Sequence, residues 1–282
     1  MIRTIALLTL REALSRRILA ALVGLTLLVV AATAWGFAKV TEVASAQSAN
    51  VVTVSLLTSQ LLVMVMFMFS FVLGMTAVFV ASPAIAGDLE SGVALSILAR
   101  PIRRAELLIG KWLGDAIVLV VYAICGGALE LAVVKATTGY LPPDPVAFLL
   151  YLSGETVIGV TLAILLSTFI APMAGGAIAV VCFGLVWIAG VASTIGDVLA
   201  NDTLVRVGIV TRLLLPTDGL WRGAMFSLEP VALLAAAGRA TALVGNPFLA
   251  SSAPATPFLL WCVVWVAAVL GGAILVFRAR EI

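Results

Sequence analysis

The sequence predicts an all-α membrane protein with six transmembrane helices, and three observations lead to this fold class. The chain has 282 residues, of which 63% are hydrophobic and only 11% are charged, whereas soluble domains carry roughly a quarter charged residues. The mean hydropathy is +1.24. Six apolar runs are each long enough to cross about 30 Å of hydrocarbon. Soluble enzymes, disordered proteins and nucleic-acid-binding proteins are poor fits, and residues 1–282 are expected to form a single transmembrane domain.

The predicted spans are separated by short polar or charged segments. Residues 3–16 precede the first span, and Leu7, Leu10 and Leu14 recur there at helical spacing with polar residues opposite. This pattern is typical of a helix that lies on the bilayer surface; the alternative is that the segment is the solvated start of the first span. Residues 39–50 are predicted to form a polar loop. The spans are predicted at residues 18–38, 54–81, 112–134, 146–168, 173–196 and 257–277.

One segment before the last span is ambiguous. Residues 228–249 form an apolar run that is long enough for a seventh span. Arg239 would then lie near the bilayer centre, where a charge is costly, and the C-terminal arginines would move to the other side. We therefore expect a re-entrant or interfacial helix on the outer side, with a seventh span as the alternative.

Lysine and arginine residues are distributed unequally between the two sides of this topology. With the N-terminus inside, ten of the 16 cations lie on the inner side, in the N-terminal segment, the 82–111 loop and the C-terminal tail. The remaining six lie on the outer side, four of them spread through one long loop. Because cytosolic segments are enriched in lysine and arginine, both termini of this multi-pass chain are predicted to be cytosolic.

The 82–111 loop carries the most informative pattern in the chain. Gly87 is expected to break the preceding span and Asp88 to cap a new short helix, with Glu90 in the first turn, where the helix dipole favours an acid. An apolar stripe follows, and Pro101 ends the helix. A short helix held between two spans can transmit the motion of a cytosolic partner to the membrane. An ordinary basic loop that anchors the topology is the alternative.

Four short motifs follow one another in this loop: Glu90-Ser91-Gly92, Leu98, Arg100-Pro101-Ile102-Arg103-Arg104 and Gly110-Lys111. This order resembles the first cytosolic loop of type-2 ABC transporter permeases, the membrane subunits of ATP-binding cassette exporters. In that family the loop carries a coupling helix that docks in a groove of the ATPase subunit. The resemblance extends to the N-terminal helix, the six spans, the outer segment with Pro216-Thr217-Asp218, and the basic tail. The family usually has threonine where this chain has Val93.

The resemblance implies a permease subunit of an ATP-driven exporter in the plasma (inner) membrane. The sequence has no G-x-x-x-x-G-K-[ST] motif, so this chain is expected to bind no cofactor of its own, and ATP and magnesium are expected on a separate ATPase chain. The family's working unit contains two ATPase chains and two permease chains, identical or different. The residues expected to contact the ATPase are Asp88, Glu90, Ser91, Gly92, Leu95, Leu98, Arg100, Pro101, Arg103 and Arg104.

Charged residues inside the spans are candidates for a substrate path, because intramembrane carboxylates are costly and often functional. Glu130 and Glu155 are the substrate-path candidates; the alternative is that each reaches an interface or pairs with Lys135 or a backbone donor. In the outer segment, Trp221 and Arg222 are predicted to form an interfacial anchor that shapes an outer gate. No metal site is predicted, because histidine is absent and the three cysteines lie in separate apolar runs.

Glycines in the spans permit close helix packing. In this family the first and fifth spans form the permease dimer interface, so Gly175, Gly176 and Gly184 are candidates for that contact, with internal packing as the alternative. Two rival functions are a secondary transporter or channel without an ATPase and a membrane scaffold without transport. A secondary transporter would show inverted repeats and charged midplane residues. No internal repeat is evident and the buried acids lie near span ends, which favours the ABC permease.

Overall fold

The computed structural model describes residues 1–15, 17–46, 50–92, 102–230, 248–250 and 252–280. Within these ranges the chain forms helices joined by turns and short connections, with no strand. In chain order the helices are α1 (Ile2–Ser15), α2 (Arg17–Ala46), α3 (Val51–Ala81), α4 (Pro83–Glu90), α5 (Arg104–Thr138), α6 (Pro145–Ser167), α7 (Pro172–Val198), α8 (Asp202–Leu214), α9 (Thr217–Leu228) and α10 (Thr256–Ala279). Six helical stretches are long and apolar enough to cross a membrane, which confirms the predicted fold class.

The first span is longer than the sequence predicts. α2 continues to Ala46, so most of the loop expected at residues 39–50 is helical. The reason is local, because Lys39 pairs with Glu42 one turn later at 2.5 Å and such pairs stabilise an exposed helix end. A helix of 30 residues is about 45 Å long, so α2 extends beyond a hydrocarbon layer of about 30 Å.

The expected helix break at Gly87 and cap at Asp88 are both wrong. A turn at Ser82 separates α3 from α4, and α4 then runs through Gly87 without a break. Pro83 lies in the first turn of α4, where its missing N–H has no intrahelical partner to lose. Asp88 therefore lies in the last turn of α4. The helix ends before Gly92, whose φ of +74° is a left-handed conformation that glycine adopts without strain.

The N-terminal segment forms a helix of its own, packed along the start of α5. Ile5 and Thr9 lie one turn apart on its buried face, and each contacts a glycine of α5. A Cβ on Gly110 would collide with Ile5, and one on Gly114 would collide with Thr9. The leucine stripe faces away from the bundle and is largely exposed. A position of α1 on the bilayer surface stays a prediction.

The most buried helices are α3, α5 and α6. α6 is central, since it contacts α3, α4, α5, α7, α9 and α10. At least half of the most apolar window is buried in α3, α5 and α6, whereas less than a quarter is buried in α2, α7 and α10. Because lipid is as apolar as these side chains, close packing is what holds such helices together.

The helix ends define two sides of the bundle. The ends of α4, α6 and α10 and the start of α5 lie on the same side as α1, which we call the α1 side. α8, α9 and the start of α10 lie on the other, distal side, together with residues 228–230 and 248–249. The re-entrant or spanning arrangement predicted for the 228–249 segment concerns residues 231–247, which lie outside the described residues.

The candidate dimer glycines have different surroundings. A Cβ on Gly175 would lie 3.3 Å from the Ser82 hydroxyl, and one on Gly176 would lie 3.1 Å from the Phe79 ring. These two glycines therefore serve internal packing of α7 against α3. Gly184 has open space beside it.

Candidate functional site

A buried ion pair joins α4, α5 and α1 on the α1 side. Lys111 Nζ lies 2.5 Å from a carboxylate oxygen of Asp88 and 3.9 Å from one of Glu12. The side chains of Lys111 and Asp88 are 7% and 14% exposed, so water replaces neither partner readily. Removing one member of a buried pair costs about 3–5 kcal/mol. The pair therefore fixes the end of α4 against α5.

Arg104, at the start of α5, closes the C-terminal end of α10. Its Nη1 donates hydrogen bonds to the carbonyls of Phe277 (3.0 Å), Arg278 (3.2 Å) and Arg280 (2.6 Å). The last carbonyls of a helix have no partner inside it, and a cation there also complements the helix dipole. Arg280 in turn donates to the carbonyl of Thr168, just after α6, at 2.8 Å. Two arginines thus tie α5, α6 and α10 together.

The structure describes six of the ten residues expected to contact an ATPase. Gly92, in the turn after α4, is half-buried, and the other five fall into two groups. Glu90, Ser91 and Arg103 are exposed where the chain leaves α4 and enters α5. Asp88 and Arg104 have their charges engaged inside the chain, by the ion pair and by the α10 carbonyls. Four more lie outside the described residues: Leu95, Leu98, Arg100 and Pro101.

A second polar cluster lies on the distal side around Asp218. One oxygen of Asp218 accepts hydrogen bonds from Nε of Arg212 (3.0 Å) and Nε of Arg222 (3.1 Å). Nη2 of Arg222 also donates to the Gly190 carbonyl and the Thr194 hydroxyl, both at 2.8 Å. Asp218 is 7% exposed. The cluster links α7, α8 and α9 and sets two cations against one carboxylate.

Trp221 lies in the core and is not an interfacial anchor. Its side chain is 3% exposed, and its ring centroid is 5.7 Å from that of Phe67 in α3. Phe67 also lies 5.0 Å from the ring of Trp187 in α7. The prediction of an anchor at Trp221 is wrong, because neighbouring helices enclose the ring. The sequence alone does not show which face of α9 packs against those helices. An outer gate involving Trp221 and Arg222 stays a prediction.

Both substrate-path candidates are buried. Glu155 is 4% exposed and accepts a hydrogen bond from the Ser70 hydroxyl of α3 at 2.7 Å. Glu130 is fully buried beside Thr33 of α2, and neither carboxylate oxygen has a hydrogen bond of normal geometry among the described residues. The two acids thus face different neighbouring helices, and both are enclosed by the chain; a role in a substrate path stays a prediction.

A third buried acid, Glu229, follows α9 on the distal side. One of its oxygens accepts a hydrogen bond from the Ala250 amide at 3.2 Å, and the other has no hydrogen-bond partner among the described residues. Burial raises the pKa of Glu229 to about 8, although the Ala250 bond favours the charged form. Burial and the nearby Glu229 carboxyl also raise the pKa of Tyr140, whose hydroxyl donates to the Leu228 carbonyl at 2.7 Å.

Comparison with known proteins identifies the family. A family model described as ABC-2 family transporter protein matches residues 3–282. The chain belongs to the ABC-2 transporter family. No curated protein matches it. The match covers nearly the whole chain and confirms the resemblance that the first loop indicates.

Family membership makes the chain an ABC transporter permease. ABC-2 permeases are membrane components of transporters, are generally not catalytic themselves, and associate with ABC ATPase subunits. The six candidate spans agree with a multi-pass membrane protein.

Sequence reasoning missed three residues that join helices in this ABC-2 permease: Glu12, Arg212 and Asp218. Asp218 and Arg222 are four residues apart on one helix, a spacing at which opposite charges meet. The contact between these two residues could therefore have been predicted from the sequence. The Arg212 contact spans the turn between α8 and α9, and Glu12 meets Lys111 only through the packing of α1. Neither contact has a fixed sequence spacing that predicts it.

Proposed function

We propose that this chain is the membrane subunit of an ATP-driven exporter that couples to two separate ATPase chains through the loop between α4 and α5. The mounting of that loop carries the proposal. Glu90 and Ser91 are exposed at one end and Arg103 at the other. Immediately behind them, the Asp88 ion pair and the Arg104 hydrogen bonds fix both ends of the loop to the bundle. A loop whose two ends are fixed to the bundle can transmit a push from a partner. A loop that serves only to anchor the topology does not require fixed ends.

The helices connected to this loop provide the route for that push. α4 continues from α3 across the turn at Ser82, and α5 begins one residue after Arg103. α3 and α5 both pack on the central helix α6. Closure of the ATPases around ATP and magnesium would therefore displace α3, α5 and α6 together and alternate the access of a central path. Export is the direction that the resemblance to type-2 permeases implies.

The distribution of cations supports a cytosolic position for the α1 side, and hence for both termini, in a plasma membrane. Cytosolic segments are enriched in lysine and arginine. The described cations on the α1 side include Arg3, Arg11, Arg103, Arg104, Lys111, Arg278 and Arg280.

A second permease chain, identical or different, is proposed to pack against α2 and α7. These helices bury less than a quarter of their apolar windows within the chain. On α7, Val181, Leu185 and Ile188 recur at helical spacing and are 58%, 58% and 59% exposed. Gly184 lies beside this stripe with open space, which permits close approach of another helix. The resemblance implies the same two spans.

The coupling proposal is tested by changing the exposed end of α4. In co-expression with a partner ABC ATPase that co-purifies with the unchanged chain, the double variant E90R/G92R is expected to lose most of the ATPase from the purified complex. The added cations reverse the local charge, and an arginine at a left-handed glycine position disturbs the turn. The measurement is the ratio of ATPase to permease after affinity purification from membranes.

Glu42→Arg is the control, because it makes the same charge change as the Glu90→Arg half of the double variant on an exposed side chain near the far end of α2. It is expected to retain the ATPase. Retention of the ATPase at full stoichiometry by E90R/G92R, with normal membrane insertion, contradicts coupling through this loop.

A further inference from the structure

A pocket opens beside the distal cluster. Its volume is about 340 Å³, and Arg212, Arg222, Gly219 and Phe258 line it together with residues 252–255. Two of its lining residues are therefore arginines. The connection to α10 forms the remaining part of the rim.

The charge of this pocket fits a single anion. Asp218 neutralises one of the two arginines, which leaves a net positive charge. Among the described residues, the guanidinium of Arg212 donates one hydrogen bond, from Nε, so its terminal amino groups are available to a ligand. α10 begins at Thr256, directly after Ala255 of the pocket lining, and a helix N-terminus adds partial positive charge. Phosphate oxygens match a guanidinium fork particularly well.

An apolar groove continues from the pocket along α10. Its volume is about 450 Å³, and the side chains that line it include Leu220, Leu259, Cys262, Val266 and Leu270, with Gly154 of α6 also at its wall. The groove lies next to the pocket along two helices, since Gly219 and Phe258 in the pocket directly precede Leu220 and Leu259 in the groove.

The length and position of the groove match one leaflet of a bilayer. From Leu259 to Leu270 the helix rises about 16 Å, which is roughly half of a hydrocarbon core of about 30 Å. The pocket lies at the start of α10, where the span meets the distal membrane surface. A polar site at headgroup depth that continues into an apolar groove of this length has the outline of a phospholipid.

We propose that the pocket and groove bind one anionic phospholipid from the distal leaflet. Its phosphodiester lies against Arg212 and Arg222, and one acyl chain lies along α10 between Leu259 and Leu270. A headgroup without a compensating ammonium matches the single net positive charge, so phosphatidylglycerol binds in preference to phosphatidylcholine. The site does not depend on an ATPase partner, so its failure and a failure of the coupling proposal are separate outcomes.

The headgroup contact is tested by native mass spectrometry of the purified chain in detergent micelles titrated with phosphatidylglycerol or phosphatidylcholine. The unchanged protein is expected to bind one phosphatidylglycerol more tightly than phosphatidylcholine. Arg212→Gln is expected to weaken phosphatidylglycerol binding roughly tenfold, because it removes a charge-assisted contact. Arg206→Gln is the control, since Arg206 is exposed on the same helix and lies outside the pocket. Equal binding of phosphatidylglycerol by both variants overturns the proposal.

The acyl-chain contact is tested independently of the arginine cluster. Ala267 is exposed and lines the groove, whereas Ala268 is exposed on another face of α10. Ala267→Phe is expected to lower the bound fraction of both lipids, and Ala268→Phe to leave it unchanged. Equal lipid binding by the two variants overturns the acyl contact. Displacement of phosphatidylglycerol by millimolar inorganic phosphate shows a soluble-anion site and also overturns the proposal.

Discussion

Gly190 is the residue at which the distal cluster meets the backbone of α7. Its carbonyl accepts a hydrogen bond from Arg222, and a Cβ at this position would overlap the Asp218 carboxylate. Because Asp218 is held between two arginines, it has little freedom to move. Gly190→Ala is therefore expected to destabilise the fold by about 1–3 kcal/mol, as overpacking in a core does.

The measurement is thermal unfolding of the purified chain in detergent, with Gly272→Ala as the control. Gly272 lies inside α10, and open space surrounds the position of an added Cβ. Alanine is favoured over glycine inside a helix by about 0.5–1 kcal/mol, so this control is expected to be neutral or slightly stabilising. A fall in unfolding temperature shared equally by the two variants contradicts the role given to Gly190.

At the scale of elements, the sequence determined helix positions well inside apolar runs and poorly inside polar ones. The start of α6 is predicted at 146 and observed at Pro145, because a proline before a long apolar run leaves little choice. The end of α2 is not predicted, because Lys39 with Glu42 supports a helix that composition alone assigns to a loop. α3 ends at Ala81, as the predicted span 54–81 does, but no break follows at Gly87. Gly87 lies inside α4, where a Cβ would come within 3.2 Å of the Pro83 Cβ, so this position favours the smallest residue.

The connection between α5 and α10 is tested at the same scale. Arg104→Gln removes a charged donor from three carbonyls at the end of α10, and hydrogen bonds to charged groups contribute about 1.5–3 kcal/mol. Amide exchange over the last two turns of α10 is therefore expected to rise roughly tenfold. Arg103→Gln is the control, because the neighbouring Arg103 is exposed. Unchanged exchange in Arg104→Gln shows that the carbonyls do not depend on this residue.

At the scale of the whole molecule, composition and six apolar runs were sufficient for the fold class, and one loop was sufficient for the family. The distal pocket was not predictable, because Arg212, Phe258 and residues 252–255 come from separate segments that only the packed bundle brings together. The same limit applies to Trp221, whose burial depends on α3 and α7. Hydrophobic periodicity indicates that a span has an apolar face, but not whether lipid or protein covers it.

Whether lipid or protein covers an apolar face also determines where a second permease chain packs. Leu185 on α7 and Leu260 on α10 are exposed to similar extents, 58% and 62%, yet only α7 is proposed to meet a second chain. With the exposed Cys125 replaced by serine and this chain as the only permease in the membrane, Leu185→Cys is expected to form a disulfide-linked dimer on mild oxidation. Residues near a twofold axis meet their own copies, whereas Leu260→Cys is expected to stay monomeric. Efficient cross-linking through Leu260→Cys, or none through Leu185→Cys, places the second permease chain on another face.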